Sequence, residues 1–152
     1  LVSFNVLRDN RHFGAAVEYV RMQEADVLVL LEVDAEWCAA FDALRSRLPH
    51  RHAEARPDTF GVAIYSRWPL VRPQTIAADE LGHPLLVVRV DHPRRPFTLL
   101  AAHPLPPISA ELAAQRDRYL TRVPVVRKGR LVGIVARRDL IFGYLRASQY
   151  WS

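Results

Sequence analysis

The sequence predicts an α/β protein built in layers, with helices laid against a buried sheet. Three observations predict it. Strand-like and helix-like stretches alternate from Leu1 to Leu48. The run Asp26–Val33 (DVLVLLEV) is almost entirely apolar, as in a strand covered on both faces. Beyond it, short strand-like stretches are set apart by Pro-rich turns.

Leu1–Leu7 (LVSFNVL) reads as the first strand, followed by a polar loop from Arg8 to His12. From there Phe13, Ala16, Val17 and Val20 keep the spacing of one helical face, with Asp9 or Asn10 as its cap. Trp37, Ala40, Phe41, Leu44 and Leu48 mark a second helix, with Pro49 just beyond its stop. Gly61–Ser66 (GVAIYS), Leu85–Asp91 (LLVVRVD) and Phe97–His103 (FTLLAAH) read as short strands. The connection Asp91–Pro96 (DHPRRP) makes the last two antiparallel neighbours. After Ser109 a helix is expected through Leu120, with Leu112 and Tyr119 on one side. Val123–Val126 (VPVV) and Leu131–Val135 (LVGIV) flank RKGR (127–130) as a tight hairpin. Asp139–Leu145 then reads as a closing helix.

At 152 residues the chain fits one domain, or one domain with a small appendage. Its composition, 50% hydrophobic and 24% charged, is ordinary for a soluble globular protein. No stretch approaches the ~20 apolar residues of a membrane helix, and no signal peptide is visible. The chain opens on Leu1 rather than Met, which reads as an excised piece. Cys38, the single cysteine, excludes an internal disulfide and fits a reducing compartment such as the cytoplasm. Beside Trp37 and Phe41 it reads as a packing residue. The net charge of +5 is unevenly placed: up to Leu120, 14 Arg nearly cancel 15 acidic residues, whereas from Thr121 seven basic residues meet only Asp139. That basic tail suits either a solvated face or an acidic partner.

Asn5, Glu32 and His103 each stand at or near the end of an expected strand, where ligand sites of layered α/β folds are commonly built. SFNVL (Ser3–Leu7), ADVLVLLEV (Ala25–Val33), IYSRWPL (Ile64–Leu70) and AAHPLPP (Ala101–Pro107) follow one another in an order and spacing that resemble the endonuclease/exonuclease/phosphatase superfamily. That is the fold of deoxyribonuclease I, exonuclease III and the sphingomyelinases, and the resemblance covers about residues 1–120. It implies that Glu32 is a direct ligand of Mg²⁺ or Mn²⁺ and that Asn5 helps orient metal or phosphate. It also implies that His103 contacts the scissile phosphate or acts as acid, with a phosphoester or nucleic acid as substrate. The chemistry is coherent: a hard cation on oxygen ligands neutralises charge developing on phosphoester oxygens, and an imidazole can donate a hydrogen bond or a proton. Without the resemblance, the same residues also describe an Asn bonded to backbone, an exposed strand terminus and a His that begins a turn.

The family's Gly-Asp-x-Asn segment and its late Ser-Asp-His segment have no counterpart in this sequence. Asp91-His92 precedes His103 and reads as a turn pair. Losing the base alone costs about 10²–10⁴-fold in rate, so impaired catalysis is expected, together with weak metal binding by Glu32 as the only carboxylate. From Thr121 the pattern changes. RVPVVRKGRLVGIVARRDLIFGYL (Arg122–Leu145) resembles the C-terminal strand–strand–helix of a cystathionine-β-synthase (CBS) domain, over about residues 121–147. This implies an adenine-nucleotide site in which Asp139 holds the ribose hydroxyls while Arg137 and Arg138 meet phosphate. Ala136 stands where that family has Thr or Ser. The alternative is a hairpin and helix that complete a core, with Asp139 as a cap. The expected protein is therefore a chimera of residues 1–120 and 121–152, an α/β sandwich resembling half of the first fold and closed by the CBS-like piece. A sheet face left incompletely covered would favour self-association. Phosphoester hydrolysis, nucleotide binding and a non-catalytic interaction module are the three functional expectations.

Overall fold

The computed structural model describes residues 1–78 and 80–103, together with the backbone of residues 122–127 and 130–136. The chain divides into two compact units, Leu1–His103 and Pro104–Ser152.

The first unit follows the expected alternation. Strand β1 (Val2–Asn5) leads to helix α1 (Phe13–Met22), strand β2 (Val27–Leu31) and helix α2 (Ala35–Phe41), which runs into a 3₁₀ turn at Asp42–Leu44. Then come β3 (His50–Glu54), β4 (Val62–Ser66), β5 (Leu70–Ala77), β6 (Pro84–Val90) and β7 (Phe97–Ala102). One sheet has the order β1-β2-β4-β3, parallel between β1 and β2 and antiparallel elsewhere; β5-β6-β7 form a second, antiparallel sheet.

The period-two alternation of β2 and β4 explains the layering. Leu28, Leu30, Ala63 and Tyr65 point to the helices, where they meet Val17, Val20, Trp37, Phe41 and Leu48. Val27, Val29, Val62 and Ile64 point the other way and pack on Leu86, Val88, Val90 and Ala101 of the second sheet. The result is helices, sheet and sheet, with β2 and β4 buried on both faces. Burying each Val, Leu or Ile side chain contributes about 1.5–3 kcal/mol, so this double-sided packing dominates the stability of the unit.

Several expectations are corrected. Neither Asp9 nor Asn10 caps α1: the cap position is His12, without a side-chain bond, and Asn10 Oδ1 instead accepts from the His12 N–H at 3.0 Å. The second helix is shorter than its apolar spacing suggested. Asp34 starts it by accepting the Trp37 N–H at 2.9 Å, and it tightens after Phe41, although Leu44 and Leu48 still reach the core. Strands β3 and β5 carry no sequence signal. His50–Glu54 is polar and becomes a strand by pairing with β4. Leu70–Ala77 is largely exposed and carries Pro73 beside a register shift between Val71 and Gln74, as an edge strand tolerates. The Asp91–Pro96 connection is the expected turn, in which His92 Nδ1 accepts from the N–H groups of Arg94 and Arg95.

In the second unit β8 (Arg122–Arg127) and β9 (Arg130–Ala136) form an antiparallel pair, as VPVV and LVGIV predict. The helices expected after Ser109 and at Asp139–Leu145 lie outside the described residues, as do Arg137, Arg138 and Asp139. Among the described residues no helix is long and apolar enough to cross a membrane.

Candidate functional site

The site grows from the ends of three strands. Because β1 and β2 run parallel with Asn5 opposite Leu31, Asn5 and Glu32 leave adjacent strands on the same side. The two packed sheets then bring His103, the residue after β7, to the same place. Glu32 Oε1 accepts a hydrogen bond from Asn5 Nδ2 at 2.8 Å and stands 3.3 Å from His103 Nε2. Glu32 Oε2 accepts the Arg8 N–H at 3.2 Å. Asn5 Oδ1 accepts the Leu7 N–H at 2.8 Å, so the amide is held at both ends. The three residues singled out in the sequence therefore meet at one carboxylate, whose side chain is 14% exposed.

Local backbone makes this meeting possible. Glu32 turns the chain out of β2 at φ 64°, and Leu7 turns it out of β1 at φ 58°. Both lie in the left-handed region, which costs a residue with a Cβ about 1–2 kcal/mol. Immediately after Glu32, Val33 is clamped by backbone: its N–H donates to Gly61 O at 3.2 Å, and its carbonyl accepts from the Arg56 N–H at 3.1 Å. Gly61 lies so close that a Cβ there would stand 1.8 Å from Val33 O.

Sequence reasoning missed the loop that this clamp brings in. Arg56 grips Asp58 through Nε and Nη2, the latter at 2.7 Å, and Asp58 Oδ1 accepts the Phe60 N–H at 2.9 Å. The Arg56 guanidinium foremost, against the opposing effect of burial, holds the Asp58 carboxyl below its ordinary value. Phe60 lies between two imidazoles, 3.8 Å from the His83 ring centroid and 5.8 Å from that of His103. The signal was faint: only a Gly ahead of a β-branched run marks the close approach.

Charge around the site is balanced. An open depression of about 440 Å³ beside it is lined by Arg8, Arg11, Arg56, Asp34 and Glu36 among others. Arg8 pairs with Asp9, Arg11 with Asp34 and Glu36, and Arg56 with Asp58, so this surface offers no excess of positive charge. Among the described residues no three His, Cys, Asp or Glu side chains cluster as metal ligands. The donors present still suit a hard cation of the Mg²⁺ type: among the described residues Glu32 Oε2 accepts only the Arg8 N–H, and such ions commonly bind one or two carboxylates while water and phosphate complete the shell. Cys38 is buried and its thiol is raised, foremost by burial, which makes it a packing residue.

Comparison with known proteins places this arrangement in a family. No curated protein matches the chain. Among solved structures, truncated TDP2 from Caenorhabditis elegans superposes with a TM-score of 0.65 at 19% identity, covering 76% of this chain and 49% of that one. D. rerio TDP2, complexed with single strand DNA product, gives a TM-score of 0.57 at 14% identity, covering 66% and 44%. Sphingomyelinase C from Streptomyces griseocarneus gives 0.62 at 19% identity, covering 78% and 55%. The chain thus spans about half the length of these structures, and the likeness concerns the fold. A family match covers residues 2–132, running past Leu120 and ending within β9. Over most of its length, then, the chain belongs to the Endonuclease/Exonuclease/phosphatase family.

Proposed function

We propose that the Leu1–His103 unit is a phosphoester-binding half-site of this family, acting on a phosphodiester or nucleic-acid substrate with impaired hydrolysis. The observation that carries the reading is the convergence of Asn5 and His103 on the Glu32 carboxylate. Glu32 would hold Mg²⁺ or Mn²⁺, and that ion, when bound, would neutralise charge on phosphoester oxygens. Asn5 orients the carboxylate through its amide. His103 Nε2 stands where it can donate a hydrogen bond or a proton to a phosphate oxygen beside Glu32. The impairment follows from the absence in the sequence of the Gly-Asp-x-Asn and Ser-Asp-His segments. D. rerio TDP2 with its single strand DNA product supports nucleic acid as the substrate class. The single buried cysteine supports a reducing, cytoplasmic setting.

Titration with Mn²⁺ followed by electron paramagnetic resonance tests this reading. Binding that is lost in Glu32→Gln supports it, and indistinguishable titrations of the two proteins overturn it. Cleavage of a chromogenic phosphodiester at a rate typical of complete enzymes would overturn the impairment.

A second reading concerns the tail, where β8 and β9 pair as a CBS-like hairpin would, although the family match also runs on into β9. In it Asp139, Arg137 and Arg138 bind an adenine nucleotide. Calorimetry with AMP or ATP showing no heat rejects it. The chain also self-associates in this reading, through exposed apolar positions of the second sheet such as Val71, Ile76 and Leu100. A monomer by light scattering at micromolar concentration rejects that part.

A further inference from the structure

The imidazole of His103 is poorly fixed by polar contacts. Nε2 stands 3.3 Å from Glu32, which is long for a charge-assisted hydrogen bond. Nδ1 is buried and has no hydrogen-bond partner among the described residues. In most working histidines the second ring nitrogen donates to a carboxylate or carbonyl, and that bond sets the ring's orientation. Here a different kind of restraint stands in its place. The Phe60 ring lies 5.8 Å from that of His103, tilted by 45°, within the range of favourable aromatic pairs.

Phe60, half-buried, is itself held by several contacts. Its other neighbour is His83, 7% exposed, at 3.8 Å. Its N–H is tied to Asp58, and Asp58 is gripped by Arg56. The same guanidinium reaches Gly82 O at 3.5 Å, joining the loop to the segment that carries His83. On the following side Gly61 packs against Val33 with no room for a side chain. An over-determined ring therefore leans on an under-determined one, and the restraint runs from Phe60 to His103.

We infer that Phe60, wedged between His83 and His103, is the positioning residue that fixes the His103 imidazole against Glu32. This rests on the reading of Asn5, Glu32 and His103 as a phosphoester site. It adds that the site's geometry depends on aromatic packing, which replaces a hydrogen-bonded orienting group.

The test uses the full chain, labelled so that the imidazole and side-chain amide signals of Phe60→Ala, Phe60→Leu and Phe60→Tyr can be compared with wild type, first without metal. The expected result is that Phe60→Ala and Phe60→Leu broaden the His103 ring signals, beyond the shift that loss of the Phe60 ring current alone produces, and leave the Asn5 amide signals in place, while Phe60→Tyr restores the wild-type ring pattern. Leu fills the space without a ring, so it guards against an unfolded Ala variant. His103 line widths unchanged in Phe60→Leu overturn the inference, as does an equal disturbance of Asn5, which would mark a general loss of structure. Addition of Mn²⁺ then separates the two claims. Broadening of Asn5 and His103 in wild type supports the metal reading; its absence counts against that reading, while the metal-free comparison still decides the role of Phe60.

Discussion

Gly61→Ala should be among the most damaging single-methyl changes in the protein, and the reason lies in one distance. The added Cβ would stand 1.8 Å from Val33 O, whereas ordinary contact begins at 3.4 Å, so the two backbones must part by roughly 1.6 Å. A shift of that size breaks the Val33–Gly61 hydrogen bond at 3.2 Å and strains the Arg56–Val33 bond at 3.1 Å. Each buried backbone group left unpaired costs about 1–3 kcal/mol, and overpacking adds about 1–3 kcal/mol. Gly61 has no positive φ, so Ala fits its backbone and recovers about 0.4–1 kcal/mol through the unfolded chain. The net loss is about 2–8 kcal/mol, against about 5–15 kcal/mol for a typical domain. Urea unfolding followed by tryptophan fluorescence measures it, with Gly14→Ala as control. A Cβ at Gly14 in α1 meets nothing within 4 Å, so that change should stabilise by about 0.5–1 kcal/mol. Gly61→Ala within about 0.5 kcal/mol of wild type at an unchanged slope would refute the close-approach argument.

Asp34→Ala removes the side chain that accepts the Trp37 N–H, and should cost about 0.5–2 kcal/mol by thermal or urea unfolding. Tyr65→Phe deletes the buried hydroxyl bond to Cys38 O at 3.1 Å. Since that carbonyl also accepts the Asp42 N–H, the loss should stay near 1 kcal/mol. Acid should destabilise the fold through two carboxyls. Burial opposes the shift at Asp34, but the Trp37 N–H and Arg11 outweigh it and leave the group below its ordinary value; at Asp58, Arg56 is the leading cause. Each binds fewer protons folded than unfolded, so its stabilisation is complete above the ordinary carboxylate range, near pH 4, and fades as pH falls through the depressed value. Unfolding midpoints measured from pH 6 to pH 2 should show this decline, and it should be shallower in Asp58→Asn.

What the sequence revealed and what it concealed divide along physical lines. The interior of β2 and β4 was legible because burial on both faces leaves an uninterrupted apolar run. The helix faces carrying Val17, Val20, Trp37 and Phe41 were legible because core contact imposes the helical period. Strands β3 and β5 were not, since their state comes from the edges they pair with and not from their own side chains. Asn5, Glu32 and His103 are legible as three strand ends, but spacing alone does not show that their polar atoms meet. The loop Arg56–Phe60 was invisible for the opposite reason. Its local ion pair, Arg56 with Asp58, marks no element by itself, and the backbone clamp to Val33 and the ring packing with His83 are long-range contacts that no local pattern specifies.

Two of the four described non-glycine residues with positive φ, Leu7 and Glu32, flank the candidate site and show where the fold gives up stability beside it. Leu7 and Glu32 carry similar positive φ, yet their surroundings differ. Leu7 is 61% exposed and buries little, so Leu7→Gly should relieve backbone strain and stabilise by up to about 1 kcal/mol. Glu32→Gly relieves the same strain but leaves the part-buried Arg8 N–H without its acceptor, which costs about 1–3 kcal/mol, and also removes the exposed bond from Asn5 Nδ2. Its net effect should therefore be zero or destabilising. If both variants gained equally, the contacts at Glu32 would be incidental to its conformation. An unequal outcome means that the Asn5 and Arg8 donors hold Glu32 in a turn its backbone disfavours, with the carboxylate toward His103.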